Sequence, residues 1–328
     1  MKQYDLAFKT LDILADGKFH SGEIIAQQTH CSRVSIWKAI AQLKSLGIEI
    51  FSVRNKGYRL TKTMSLLNEN TLRRELGELA QFVHLEFHQV IESTNTYLMQ
   101  TAQEKPHATV VATNMQTKGK GRRGRIWQSR IGESLTVSIL WKFSKGASQL
   151  SGLSLVIGIA LQRAMRKLEL TNTFLKWPND LLMKIDNDYF KIAGLLIELQ
   201  GDMESRCTAV IGIGLNYELS DVFKKKIDQP AMGIKNKLDP AMGINKVAAL
   251  LVKEIIHILS DFDKSDFAVF REEWLASHAF ANQYVKFKKA NDDELFGIIQ
   301  DVGRDGSLKI LKEDGQTELL LTGELSQA

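Results

Sequence analysis

Two cysteines, Cys31 and Cys207, are all that 328 residues contain. They cannot build a disulfide framework or a cysteine-rich zinc site, so the fold is expected to stand on its core in a reducing compartment. Long apolar runs are missing as well. The longest, from Leu153 to Leu161, falls far short of the ~20 residues that cross a bilayer. The opening residues Met1-Lys2-Gln3-Tyr4-Asp5 lack the apolar stretch and cleavage site of a secretory signal, which points to the cytoplasm. No G-x-x-x-x-G-K-[ST] phosphate loop occurs. Nor is there a convincing Ser/His/Asp or Cys/His set.

What is present is an ordinary globular composition, 44% hydrophobic and 25% charged, with an uneven charge distribution. The net charge is +5, and residues 1–65 carry ten cations against five acids. The rest of the chain is therefore neutral. A basic head on a neutral body suggests a polyanionic partner for the head.

That head reads as three helices and a hairpin. The first helix runs from about Asp5 to Ala15, with Leu11 and Leu14 inward. Ser21 caps a second helix carrying Ile24 and Ile25, and Ser32 caps a third after the turn Thr29-His30-Cys31. Ile36, Ile40 and Leu43 form one buried stripe, and Gly47 ends the helix. This is a helix-turn-helix, whose second helix enters a DNA major groove by its first residues: Ser32, Arg33, Ser35, Trp37 and Lys38. The hairpin around Arg54-Asn55-Lys56-Gly57 reads as a wing with Arg54 and Lys56 set for phosphate. A winged helix used only for protein contacts is the competing reading. Cys31 reads as a small turn residue.

After a loose stretch at 61–67, alternating strands and helices predict a mixed α/β domain. The segment Lys118-Gly119-Lys120-Gly121-Arg122-Arg123-Gly124-Arg125 holds five cations and three glycines with no acid, an anion-binding pattern. Leu175-Lys176-Trp177-Pro178-Asn179-Asp180 places Lys176 and Asp180 at a strand end, a usual place for ligand groups. Phe190-Lys191-Ile192-Ala193-Gly194 puts a lysine at the start of a buried strand; taken alone, it reads as a snorkelling side chain. Ser93 or Thr94 reads as the N-cap of a helical stretch at 97–103. Ile211-Gly212-Ile213-Gly214-Leu215-Asn216 lacks the dinucleotide fingerprint and reads as a strand against which another backbone packs. From about Gln283, four short strands (284–288, 295–299, 308–311 and 318–321) alternate with turns, as in a small barrel.

Taken in order, the winged helix, Ser93-Thr94-Asn95, the Gly119-to-Arg125 loop, Lys176-to-Asp180 and Lys191-to-Gly194 resemble the bifunctional biotin–protein ligase and biotin operon repressor family, over essentially the whole chain. The resemblance implies an α+β multidomain fold. Residues 1–64 would be a winged helix-turn-helix, 67–280 a central mixed α/β ligase domain similar to class II synthetases, and 281–328 an SH3-like β-barrel. It implies formation of biotinyl-5′-AMP from biotin and ATP with Mg2+, then transfer of biotin to a lysine of the biotin carboxyl carrier protein. It further implies an adenylate-bound homodimer that represses the biotin operon by binding operator DNA. Biotin would meet Ser93, Thr94, Asn95, Gln116, Lys120, Gly121, Arg122 and Lys191, with Lys191 and Arg122 catalytic. ATP or the adenylate would meet Trp127, Lys176, Asn179 and Asp180, and Asp180 would take the Mg2+ that comes with ATP.

Two departures from the family stand out. Lys120 occupies a position where arginine is common. The final residues Leu325-Ser326-Gln327-Ala328 lack the arginine and short tail of some members. The competing readings are a lipoate-type protein ligase and a non-enzymatic, ligand-sensing repressor. Pro230-Ala231-Met232-Gly233-Ile234 recurs as Pro240-Ala241-Met242-Gly243-Ile244, read as a loop duplication with no functional account.

Overall fold

The structure, a computed structural model, describes residues 4–289 and 293–327. Met1 to Gln3 and Ala328, which figured in the reading of the two ends, lie outside the described residues.

The head is built from helices α1 (Asp5–Leu14), α2 (Gly22–Gln28) and α3 (Arg33–Ser45) and a hairpin of β1 (Ile50–Val53) and β2 (Gly57–Leu60). Its helix starts are local in origin. Ser21 Oγ accepts from Ile24 N, and Ser32 Oγ accepts from Ser35 N, each satisfying one orphan donor. Gly47 takes φ +85° beyond α3. Leu11, Leu14, Ile25, Ile36, Ile40 and Leu43 are buried together, whereas Ile24 lies outside this core, 47% exposed. Buried Ile131 from the central domain completes the cluster.

The stretch 61–67 has no regular structure, yet it is tied down. Met64 N donates to Ala15 O, Leu67 N donates to Asn114 Oδ1, and Asn245 Nδ2 donates to Leu66 O.

The central region adds α4 (Glu69–Leu76), β3 (His84–Ile91), α5 (Thr94–Thr101), β4 (Thr109–Gln116), β5 (Ser134–Phe143), α6 (Leu153–Lys167), β6 (Thr173–Lys176), β7 (Asp180–Ile185), β8 (Asp188–Gly201), β9 (Cys207–Asn216), α7 (Asp221–Lys224), α8 (Ile244–Asp263) and α9 (Arg271–Ala276). The seven strands form one mixed sheet in the order β3-β4-β5-β9-β8-β7-β6, parallel at β3–β4 and antiparallel elsewhere.

Strand alternation divides the sheet's side chains between two faces. Val110, Ala112, Ile139 and Ile211 join the large core with α6 and α8. Their neighbours Val111, Leu140 and Val210 pack instead with Leu98 and Ala102 of the α5 segment. The face shared with α5 carries the candidate site.

The C-terminal region contains β10 (Tyr284–Lys288), β11 (Glu294–Val302), β12 (Leu308–Lys312), β13 (Thr317–Leu320) and β14 (Glu324–Gln327), an antiparallel sheet in the order β13-β12-β11-β10-β14. Four of these strands coincide with the runs read from the sequence. The fifth, β14, occupies the segment taken there for an end, and it pairs with β10. Trp177 Nε1 donates to Gly306 O and its ring packs tilted against Phe287, joining this sheet to the β6–β7 turn.

A candidate ligand cavity and a candidate nucleic-acid face

A cavity of about 900 Å3 opens on the α5 side of the sheet, where the loop from Lys120 to Trp127 and the β14 edge meet. Every residue proposed from the sequence for biotin or ATP lines it: Ser93, Thr94, Asn95, Gln116, Lys120, Gly121, Arg122, Trp127, Lys176, Asn179, Asp180 and Lys191. Segments from residue 93 to residue 191 meet here because β5, β9 and β8 lie side by side at the centre of the sheet. Their cross-strand partners make the floor: Thr136 opposite Gly214 opposite Gly194, then Ser138 opposite Gly212 opposite Leu196.

Gly212 and Gly214 of that floor read from the sequence as sites of backbone packing. Side chains sit on them instead. A Cβ on Gly212 would come within 2.3 Å of Asn95 Oδ1, and one on Gly214 within 2.2 Å of the Trp127 ring. Gly194 lies under the same ring and under Lys191. The glycine pair is thus part of the site, a role that its lack of a dinucleotide fingerprint concealed.

Ser93 caps α5, accepting from Thr96 N. The helix therefore starts at Thr94, earlier than the stretch 97–103, and its first residues face the cavity. Thr94 N donates to Gln116 Oε1 at 2.7 Å. Gln116, Thr94 and Asn95 are all buried.

At the cavity's other end Lys191 Nζ lies 2.7 Å from Asp180 Oδ1, and Lys176 Nζ lies 3.8 Å from Asp180 Oδ2. This geometry replaces the snorkelling reading of Lys191, whose side chain is only 13% exposed and points into the site. Burial pushes the Lys176 ammonium below its ordinary range, with Asp180 opposing the shift. Arg122 is likewise lowered by burial and partly restored by Asp180. Its Nη1 donates to Asn179 Oδ1 at 3.0 Å, while Asn179 Nδ2 donates to Leu195 O. Three cations around one carboxylate leave an excess of positive charge where a phosphate would sit.

Three of the loop's other cations meet acids from outside the loop. Arg125 pairs with Glu324, Arg123 lies 3.8 Å from the same carboxylate, and Lys118 pairs with Glu92 at 2.7 Å. The absence of acids within the loop sequence hid these partners, which come from distant positions.

Four further groups escaped the sequence reading. Asn216 Nδ2 donates to Lys191 O, and Lys191 N donates to Pro230 O. The first copy of the duplicated pentapeptide thereby seats beside Lys191, while the second leads into α8 from Gly243. Lys226 to Gln229 and Glu324 also border the cavity.

One carboxylate, Asp180, stands among the cations, and the described residues contain no cluster of three or more His, Cys, Asp or Glu suited to a metal ion. Such a donor set fits Mg2+ carried in on nucleotide phosphates, which needs only one or two protein carboxylates.

On the head, Arg33, Trp37 and Lys38 stand exposed at the start of α3, with Val34 beside them at 64% exposure. Ser32 and Ser35 hydrogen-bond to each other at 2.9 Å, closing the helix end. Arg54 and Lys56 are exposed at the β1–β2 turn. Arg59 stacks between Phe19 and Phe51, 4.8 and 5.4 Å from their centroids, and stiffens that hairpin.

Known proteins match the regions that carry the cavity and the head. Residues 87–216 match the biotin/lipoate A/B protein ligase family, and residues 7–59 match an HTH domain. The bifunctional ligase/repressor BirA of Escherichia coli is 34% identical over 99% of this chain and 98% of its own length. That of Salmonella typhimurium is 33% identical over the same shares. A biotin protein ligase from Aquifex aeolicus, solved with biotin and ATP, superposes with a TM-score of 0.60 at 26% identity, covering 74% of this chain and 97% of that one. With that likeness running nearly end to end, the chain belongs to the family of bifunctional biotin–protein ligases and repressors.

Proposed function

We propose that the chain is an ATP-dependent biotin–protein ligase that also represses transcription of biotin synthesis genes. The observation that carries the reading is that one cavity joins a polar, glycine-floored end to a cationic end. A carboxylic acid with a polar ring fits that layout, its ring at Thr94 and Gln116 and its carboxylate toward Lys191.

Attack of that carboxylate on the α-phosphate of ATP brings two anions together. Lys191 and Arg122 neutralise the charge that builds up as the new C–O–P linkage forms and diphosphate leaves. Lys176, Asn179 and Asp180 serve the phosphates, and Trp127 stacks toward the nucleotide base. Mg2+ bound with ATP would supply further neutralisation, and Asp180 would hold it on the protein side. In the second step the carrier lysine's amine attacks the acyl carbon. An amide bond forms, the acyl–phosphate bond breaks and AMP departs. No protein nucleophile is required. The loop around Lys120, Gly121 and Arg122 keeps water from the mixed anhydride meanwhile.

The head binds operator DNA through Ser32, Arg33, Ser35, Trp37 and Lys38 in the groove, with Arg54 and Lys56 on phosphate. The adenylate-bound form is a homodimer. Supporting this, β8 pairs with β7 only as far as Gly194 and continues with β9 to Gly201, which leaves one edge of its far half without a strand among the described residues. The biotin carboxyl carrier protein is the other partner. Both ATP and DNA place the work in the cytoplasm.

Purified protein incubated with labelled biotin, ATP and carrier tests the enzymatic half. Label is expected on one carrier lysine and to require ATP; an unlabelled carrier overturns the reading.

A further inference from the structure

Below the cavity floor runs a chain of hydrogen bonds whose proton directions follow from its far end. Asn95 is buried against Gly212, where no Cβ could fit. Its Nδ2 donates to Glu198 Oε2 at 2.9 Å and to Leu196 O at 3.2 Å. A carboxylate and a carbonyl can only accept, so they claim both amide protons and decide which end of the carboxamide is nitrogen. Asn95 Oδ1 must then face Ser138, whose hydroxyl donates to it at 2.6 Å. With its own proton committed, Ser138 can only accept from Thr94, 2.6 Å away. Thr94 also lies 3.0 Å from Gln116 Oε1, but a hydroxyl has one proton, and that oxygen already takes Thr94 N–H. The Thr94 oxygen is left with its lone pairs for the cavity.

We propose that Glu198 is a positioning residue for substrate recognition: through Asn95 and Ser138 it sets the Thr94 hydroxyl as an acceptor for a ring N–H of a cyclic urea. This deepens the biotin reading and rests on it. A site whose buried acceptors need an N–H rejects acids that lack one, because the acceptors would be left unpaired. Glu198 touches no substrate itself; it stands on β8, across the sheet face from Thr94, and acts through two intervening side chains.

The test measures adenylate formation from biotin and ATP by the wild type, Glu198→Met, Glu198→Gln and Ser138→Ala, with circular dichroism confirming that each variant is folded. Glu198→Met preserves length and removes the acceptor. Its KM for biotin should rise ~10-fold, as for loss of one buried hydrogen-bond arrangement, while kcat and the KM for ATP stay within about twofold. Glu198→Gln retains an acceptor oxygen and should recover most of the loss. Ser138→Ala cuts the chain at its middle and should reproduce the biotin-specific rise. Combining it with Glu198→Met should add little further, since both act on one path. A biotin KM unchanged in folded Glu198→Met, or losses spread equally over biotin, ATP and kcat, overturns the proposal. Wild-type protein that makes no adenylate from biotin contradicts the ligase reading first, before any variant is compared, and removes the relay's substrate with it.

Discussion

A lysine 2.7 Å from a carboxylate, inside a cavity with two further cations nearby, is balanced to exchange that partner for a phosphate. Lys191→Ala should therefore lower the rate of adenylate formation by ~10²-fold, the usual cost of removing one preorganised charge contact. Rapid-quench measurement of biotinyl-AMP checks this, and near wild-type rates would remove Lys191 from the chemistry. Its role was not legible from its own strand, because the partner that defines it, Asp180, lies on the neighbouring strand and only register brings them together. His278 shows a different limit. It is buried between Trp274 and Phe280, and burial alone pushes its imidazole down to about 3. The folded state thus keeps it neutral, whereas the unfolded chain protonates it near its ordinary value of 6.5. Stability should then fall as pH drops from about 6.5 toward 3, and His278→Phe should flatten that part of the curve in denaturant titrations.

Among elements, the helices of the head were legible because their causes are local. Ser21 and Ser32 caps, an i, i+4, i+7 stripe and a glycine stop are all written within a few residues. The cavity floor was only half legible. The Gly212 and Gly214 positions matter through α5 and the Trp127 loop, which a reading along one strand cannot see. Gly212→Ala should displace Asn95 and raise the biotin KM by ~10-fold or more, as overpacking of a filled site requires; a KM at the wild-type value would contradict the packing. The basic loop was misread in part for the same reason. Glu324 of β14 occupies two of its arginines, and β14 itself was taken for an end of the chain. On the wing, Lys56→Ala should weaken operator binding and flatten the salt slope by about one unit. Arg33→Ala should weaken it at fewer sequences, with adenylation retained in both. Unchanged binding in both variants would favour a head made for protein contacts.

Over the whole molecule, head and body meet at a buried carboxylate. Glu133 accepts from Ser220 N and Oγ at 2.9 and 2.8 Å and lies 3.3 Å from Arg130, which in turn donates to Gly47 O of the head. Its backbone oxygen accepts from Tyr217 and Glu218, and Lys62 of the connecting stretch lies 2.7 Å from Glu218. Ser220 opens the segment that runs on to Lys226–Gln229 at the cavity rim. Glu133→Gln keeps the shape and drops the charge, and it should reduce the gain in DNA affinity that biotin and ATP confer. Operator titrations of the variant check this. The uneven charge of the sequence foretold a DNA-facing head, but nothing in it foretold this junction, which joins residues 47, 62, 130, 133 and 220 only after folding. One chain thus couples a biotinyl-adenylate site to a DNA-reading head. The most direct measurement is binding to a duplex from the promoter of the organism's own biotin synthesis genes, with and without biotin plus ATP. Binding should tighten when both are present, with none of that gain from either alone; equal binding in all conditions would contradict the coupling.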